Sequence, residues 1–326
     1  MEFRKILIIQ TAFIGDVVLA TPLIEKLRKT FSDAELSFMV RKGNEGLLHG
    51  HPHLNRIHIW NKKEQKIKNL FQMIGEIRSE NYDLLINLQR FGATGLMTWL
   101  SGAKYKVGFD KNPFSFSYNK KVTHEIGNGK HEVERNLQLI ADWTDGKLEK
   151  PKLHLSDEVQ DKVKNYKNAP FITIAPTSVW FTKQFPRHKW VDFLKTNELE
   201  KTVYLLGAPT DSEACEWIQR ESGREDVVNL AGKLSLLEST ALMKDAEMNY
   251  VNDSAPMHFA SAVNAPTTAV FCSTIPAFGF GPLSDNSRVI EIEEKLACRP
   301  CGLHGKRKCP EGHFNCAEKI SLLAQS

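Results

Sequence analysis

Short apolar runs alternate with longer stretches of helical periodicity from the amino terminus onward. Lys5 to Gln10 is an apolar run of strand length, and the turn Thr11-Ala12-Phe13-Ile14-Gly15-Asp16 leads into a helix predicted from about Val17 to Phe31. Further strands are predicted at Glu35–Val40, Arg56–Trp60, Leu84–Leu88 and Lys106–Gly108, with helices over Ile67–Glu80 and Gly92–Leu100 between them. The pattern restarts with strands at Phe171–Ala175, Thr202–Leu206, Met248–Val251 and Thr267–Phe271. Such alternation implies mainly parallel sheets covered on both faces. Asp145 to Ser156 is polar and broken by Gly146 and Pro151, which suits a linker. The expected fold class is therefore α/β, with two Rossmann-like lobes, residues 1–150 and 151–326, whose parallel sheets face each other across a cleft. No repeat of solenoid length is visible.

Composition narrows the class. An apolar fraction of 41% and a charged fraction of 25% over 326 residues describe an ordinary globular protein, which argues against disorder. No run approaches the roughly 18 apolar residues needed to span a bilayer. The start of the chain, with Glu2, Arg4 and Lys5 before a strand, does not read as a signal peptide, so a cytoplasmic protein is expected. The net charge of +4 is unevenly spread: residues 1–150 hold 23 Lys and Arg against 17 Asp and Glu, the rest 20 against 22. Lys62-Lys63, Lys66, Lys68 and Lys120-Lys121 read as a solvated helix face and a loop, or as a contact for an anionic membrane surface or a phosphorylated substrate. They are not interleaved with an RNA-binding or helix-turn-helix signature, so no nucleic-acid partner is expected.

The densest candidate chemistry lies where strands stop. In Val251-Asn252-Asp253-Ser254-Ala255-Pro256-Met257-His258-Phe259-Ala260 a strand hands over to a helix rich in small residues, and free N–H groups at Ser254 to Met257 favour an anion. The neighbouring strand ends in a second polar tip, Cys272-Ser273-Thr274. Asp16, at the first strand-to-helix turn, could take a proton from a substrate hydroxyl or simply cap the helix. That turn holds only Gly15 where a dinucleotide fingerprint has three glycines, which disfavours a dehydrogenase. Ser178, Thr182 and Lys183 follow the first strand of the second lobe and suit a phosphate, with Lys183 able to neutralise charge building on a leaving group. Asp211 could hold a ribose or cap a helix, His258 could face the phosphate or the core, and Arg90 is a further cation at a strand tip. Cys298, Cys301, Cys309 and Cys316 stand as C-x2-C-x7-C-x6-C, with His304 and His313 interspersed. The start suits a structural zinc clamp but the remaining spacing is not a standard knuckle pair; reduced thiols are the default and metal binding by these four stays open.

Taken in order, these segments resemble glycosyltransferase family 9, the bacterial ADP-heptose:lipopolysaccharide heptosyltransferases. The resemblance is carried by Ile6-Leu7-Ile8-Ile9 through Gly15-Asp16-Val17-Val18-Leu19-Ala20-Thr21-Pro22, by Ser101-Gly102-Ala103-Lys104 with Val107-Gly108-Phe109, and by Thr182-Lys183-Gln184-Phe185-Pro186. It continues through Asn229-Leu230-Ala231-Gly232-Lys233-Leu234-Ser235-Leu236, Asn252 to His258 and Phe278-Gly279-Phe280-Gly281-Pro282, while the tail with Cys309-Pro310 is similar to the heptosyltransferase II branch. It implies a GT-B fold with the acceptor on the first lobe and the nucleotide sugar on the second, and an inverting transfer with no cofactor and no essential metal. By position it implies Asp16 as general base and Lys183 as phosphate-binding lysine. It further implies donor contacts from Ser178, Thr182, Asp211, Leu234, Asp253, Ser254, Ala255 and His258, and acceptor contacts from Gln10 and Arg90. Ala255 stands where glycine is usual in that family and Gln10 where many members have a basic residue. The implied partners are ADP-heptose and the lipopolysaccharide inner core, with peripheral contact at the inner membrane. Another sugar within the same family, or a non-catalytic sugar-nucleotide-binding or metal-stabilised scaffold, is the alternative, because such motifs specify phosphates better than sugar hydroxyls.

Overall fold

Every strand predicted from the apolar runs is present, in two separate sheets. The computed structural model describes residues 2–197 and 201–322. The chain divides into one unit of Met1–Ile126 with Lys130–His154 and a second of Leu155–Ser326 with Gly127–Gly129.

In the first unit the sheet is built from β1 (Lys5–Ile9), β2 (Glu35–Arg41), β3 (Arg56–Trp60), β4 (Leu84–Asn87), β5 (Tyr105–Phe109) and β6 (Lys120–Val122), in the order β3-β2-β1-β4-β5-β6 and parallel throughout. The order reverses between β1 and β4, where Ile8 sits beside Phe38 on one side and Ile86 on the other. The helices are α1 (Ile14–Thr30), α2 (Lys66–Ser79), α3 (Gly92–Leu100) and the short α4 (Glu132–Leu137). β1 and β4 are buried almost along their whole length, which is why they read as continuous apolar runs rather than as alternation. One face of the sheet closes over Leu7, Ile9, Met39, Leu85, Ile77 and Met97.

The second unit repeats the plan. Its strands are β7 (Phe171–Ala175), β8 (Thr202–Leu205), β9 (Val227–Asn229), β10 (Asn249–Asn252), β11 (Thr267–Phe271) and β12 (Ser287–Glu291). Their order, β12-β11-β10-β7-β8-β9, again reverses between the first strand and the fourth, here β7 and β10. The helices are α5 (Asp157–Val163), α6 (Arg187–Thr196), α7 (Ser212–Ser222), α8 (Leu236–Lys244), α9 (Ala255–Ala262) and α10 (Asn315–Glu318). Phe314, Cys316, Ala317, Ile320 and Leu322 of the carboxyl-terminal segment pack into the same core as Trp190, Phe185 and Val270. The tail is thus part of the second unit's core.

Three differences from the sequence reading have physical causes. β6, β9 and β12 were not predicted: two are three residues long, all three lie at or near sheet edges, and β12 carries Ser287, Arg288 and Glu291. α1 starts at Ile14, three residues earlier than predicted, because the carboxylate of Asp16 turns back to the Phe13 N–H and begins the helix there. Lys120 is not a solvated loop residue; it lies on β6 and pairs with Asp142 at 2.8 Å. Lys66 and Lys68 do form an exposed face of α2. Among the described residues no helix is long and apolar enough to cross a membrane.

Candidate functional site

In open parallel sheets ligands bind beyond the carboxyl ends of the strands, where the strand order reverses. Each unit has one such point, and most of the candidate residues gather at the two.

In the first unit the reversal lies between the ends of β1 and β4. Gln10 and Gln89 leave these strands and bond to each other, the Gln89 amide donating to Gln10 Oε1, which also accepts the Ala12 N–H at 3.2 Å. Both side chains are buried, so Gln10 braces the junction; it does not present an open contact. Asp16 stands one turn further on, partly exposed, with Oδ2 accepting the Phe13 N–H at 3.0 Å. The capping geometry is therefore real, yet it engages one oxygen, and the carboxylate lies near a cation that the sequence reading passed over. Arg41, at the end of β2, is half-desolvated; burial lowers its pKa and the charge of Asp16 works against that shift. Its guanidinium lies 4.9 Å from the ring centre of Phe13. Lys62 donates to the Thr11 carbonyl at 2.8 Å, and burial followed by repulsion from Arg41 lowers its pKa. The strand tips around Asp16 are thus cationic even though Gln10 is neutral. Arg90 follows β4 and is partly exposed.

In the second unit the reversal brings the loop after β7 against the tip of β10. Lys183 Nζ lies 2.8 Å from Asp253 Oδ2, and the side chains are only 15% and 7% exposed. The Thr274 hydroxyl donates to the same oxygen at 2.5 Å. Asn252 fixes the two loops together: its side-chain Oδ1 accepts the Phe185 N–H at 2.8 Å and its Nδ2 donates to the Ala175 carbonyl at 3.3 Å. Ser254 caps the start of α9 in an extended conformation, with Pro256 in the first turn as the pattern predicts. Ala255 avoids the left-handed region, which among described non-glycine residues is visited by Gln65, Asn81, Asn264 and Phe314, so its Cβ brings no backbone strain. His258 is buried on α9.

Two of the candidate donor residues carry structural duties. Thr182 is buried, and its hydroxyl accepts from Ser273 Oγ at 2.9 Å and from the Lys306 N–H at 2.7 Å; it is held inward by the tail and is not displayed to a phosphate. Asp211 accepts the Ala208 N–H at 2.8 Å through Oδ2, a capping arrangement of the short 3-10 turn Pro209–Asp211 that leads into α7. Ser178 is partly exposed and its backbone carbonyl accepts from Gln184 at 2.6 Å. Leu234 is half-buried in the turn before α8.

The cysteine tail bears directly on this half-site. Arg299 donates to the carbonyls of Cys272 and Thr274, both at 2.7 Å, and Cys301 N–H to that of Ser273 at 2.9 Å. Gly305, at φ +74°, comes so close that a Cβ there would stand 2.9 Å from Lys183 Cγ. The tail therefore backs the loop that carries Lys183. All six cysteines are free thiols. Burial and then the neighbouring thiols raise the Cys316 pKa to about 12, and the same causes raise that of Cys301. Among the described residues, no three of the tail sulfurs approach one another within 4.8 Å.

Sequence reasoning missed Arg41 and Arg299, and named Thr274 only as part of a polar strand tip. Arg41 ends a strand, so position alone could have found it.

Comparison with known proteins gives the family and the fold. Residues 70–311 match the family glycosyltransferase family 9 (heptosyltransferase). The chain is 28% identical over 290 residues to lipopolysaccharide heptosyltransferase 3 of Escherichia coli, covering 84% of this chain and 85% of that protein. Among solved structures it is similar to the E. coli ADP-heptose lipopolysaccharide heptosyltransferase II, with a TM-score of 0.77 and 23% identity over 89% of this chain and 91% of the other. It is also similar to an E. coli heptosyltransferase solved with ADP-2-deoxy-2-fluoro heptose, with a TM-score of 0.71 and 20% identity over 87% and 92%. Two parallel six-stranded sheets with this strand order are the GT-B fold that the resemblance implied. The chain belongs to glycosyltransferase family 9 (heptosyltransferase) and is a transferase.

Proposed function

We propose that this chain moves a heptose from ADP-heptose to a hydroxyl of the lipopolysaccharide inner core, with inversion at the anomeric carbon. The reading assigns the acceptor to the first unit and the donor to the second. In the single displacement, Asp16 takes the proton of the acceptor hydroxyl as its oxygen bonds to the anomeric carbon, and the bond from that carbon to the diphosphate oxygen breaks with its electron pair leaving on ADP. Lys183 neutralises the charge that grows on the departing phosphate, and the start of α9 adds its N–H groups. Asp253 and the Thr274 hydroxyl hold the ammonium of Lys183 in place before the donor arrives. The second oxygen of Asp211 receives a ribose hydroxyl. Arg41 and Lys62 supply the positive field for an anionic core acceptor and so replace the basic residue that Gln10 lacks.

The observation that carries this reading is the buried Lys183–Asp253 pair at the reversal point of the second sheet, inside the region matched by the family. A cation held at that point by a carboxylate and a hydroxyl has the charge a diphosphate needs and a fixed direction. Calorimetric titration of the protein with ADP-heptose, ADP, and a uridine and a guanosine sugar diphosphate tests the donor assignment. Binding of ADP-heptose at least tenfold tighter than of the other sugar nucleotides supports it, and equal or weaker binding overturns it.

The acceptor is anchored in lipid, so the enzyme works at the inner face of the inner membrane in this account. Exposed Phe91, Trp99 and Phe116 form the contact, with Trp99 stacked on Phe114 at 5.8 Å and edge-on to Phe116 at 5.6 Å.

A further inference from the structure

Away from both half-sites, three imidazoles converge on one buried carboxylate inside the first unit. Glu25 projects from α1, His51 and His53 come from the turn before β3, and His154 ends the unit. His154 Nε2 is 2.9 Å from Glu25 Oε1, His51 Nε2 is 3.7 Å from the same oxygen, and His53 Nε2 is 3.7 Å from Oε2. The rings of His51 and His154 meet with centroids 4.3 Å apart. Among the described residues, Glu25, His51 and His154 are the group of histidine, cysteine and carboxylate side chains whose ligand atoms gather within 4.8 Å.

The decisive atom is His51 Nε2. It is fully buried and has no hydrogen-bond partner, since 3.7 Å to Glu25 is too long for one. This unpaired nitrogen is aimed into the cluster beside a carboxylate and a second imidazole, and imidazole nitrogens with a carboxylate oxygen are a donor set that transition metals take.

The spacing also fits. Ligands about 2.0–2.1 Å from a tetrahedral zinc ion stand about 3.3 Å from one another. The contacts of 2.9 and 3.7 Å that His154 and His51 make with Glu25 Oε1 bracket that value. Histidine nitrogens with one carboxylate oxygen suit zinc, cobalt and nickel and disfavour calcium or magnesium. We propose that Glu25, His51 and His154 form a site for a divalent transition-metal ion of the zinc class, separate from the transfer chemistry, with His53 beside the second carboxylate oxygen.

Binding exchanges the His154–Glu25 hydrogen bond for coordination. It also moves the His51 proton to Nδ1, so the 3.2 Å bond that Nδ1 accepts from the His53 N–H is given up. Lys152, 3.6 Å from Glu25 Oε2 and half-exposed, swings outward. The ion would tie α1, whose first turn carries Asp16, to the turn before β3 and to the end of the unit.

The test uses the full chain, stripped with a chelator and titrated with zinc or cobalt alone. One ion per chain, a visible cobalt spectrum of tetrahedral type without a thiolate charge-transfer band, and a raised melting temperature are expected. His51→Ala and Glu25→Gln should each weaken binding by about 100-fold or more, while Cys298→Ser leaves it unchanged. If His51→Ala does not fold, the more exposed His154→Ala carries the same comparison. Absence of stoichiometric binding at micromolar metal, or binding that shows a thiolate band and disappears in Cys298→Ser, overturns the proposal.

Discussion

Replacing Lys183 by methionine should damage both folding and catalysis, and the two effects can be separated. The ammonium stands 2.8 Å from Asp253, and both side chains are largely buried. Removing it leaves the Asp253 carboxylate with the Thr274 hydroxyl on one oxygen and no compensating charge. Breaking a buried pair in this way costs about 3–5 kcal/mol. The partial exposure of Lys183 places this one at the lower end, about 3 kcal/mol, or roughly 6–12 °C in the unfolding of a unit of this size. Lys183→Met combined with Asp253→Asn removes both charges and should recover most of that loss, because the neutral amide can still accept from Thr274. Turnover should behave differently. If Lys183 neutralises the leaving diphosphate, kcat should fall about 100- to 1000-fold in the single variant and stay low in the double variant. Thermal unfolding and steady-state transfer kinetics on the three proteins provide both readings. Unchanged melting in Lys183→Met would refute the pair, and a double variant with near-normal kcat would refute the role of Lys183 in charge stabilisation.

Other changes should separate in the same way. Asp211→Ala should raise KM for the donor with little change in kcat, since little charge develops at the ribose; an unchanged KM would leave Asp211 only its capping bond to Ala208. Stability should fall on acidification below neutrality because His51 has a folded pKa of about 3 against an ordinary 6.5. The unfolded chain binds the extra proton in that window, so the contribution is complete above pH 6.5 and is lost as pH falls towards 3, amounting to about 2 kcal/mol between pH 7 and pH 5. Urea unfolding of the metal-free protein at the two pH values would measure it, and a His51→Asn variant with the same pH dependence would contradict the assignment. Trp99→Asp should reduce co-sedimentation with vesicles containing anionic lipid without lowering transfer to a detergent-solubilised acceptor; equal sedimentation would remove the aromatic surface from the membrane contact.

The fold was legible because its central strands are buried on both faces, so Ile6-Leu7-Ile8-Ile9 and Phe171-Ile172-Thr173-Ile174-Ala175 stand out as runs of strand length. The edge strands β6, β9 and β12 are short and half-polar and carry no such signal. Asp16, Lys183 and Asp253 could be singled out as candidates from local pattern because each lies in a segment that follows a strand. Local pattern could not say that Thr182 turns inward, because its partners Ser273 and Lys306 are 91 and 124 residues away. The histidine cluster was invisible for the same reason: His154 meets Glu25 across 129 positions, and no spacing rule joins them. Capping and catalysis also share residue types, so local pattern could not tell one role of Asp16 from the other, and the bond from the Phe13 N–H engages one oxygen of its carboxylate.

The central claim is that Asp16 deprotonates a core hydroxyl during heptose transfer from ADP-heptose. Its most direct test is a transfer reaction followed by mass spectrometry, with ADP-heptose as donor, a truncated lipopolysaccharide core as acceptor, and wild-type protein beside Asp16→Asn. The amide can keep the bond to the Phe13 N–H, so the variant should fold with a loss of no more than about 1 kcal/mol from the helix start. The account predicts one heptose added by the wild type, and a rate at least about 100-fold lower in the variant with donor affinity unchanged. No transfer from ADP-heptose by the wild type, or near-equal rates from the two proteins, would contradict it.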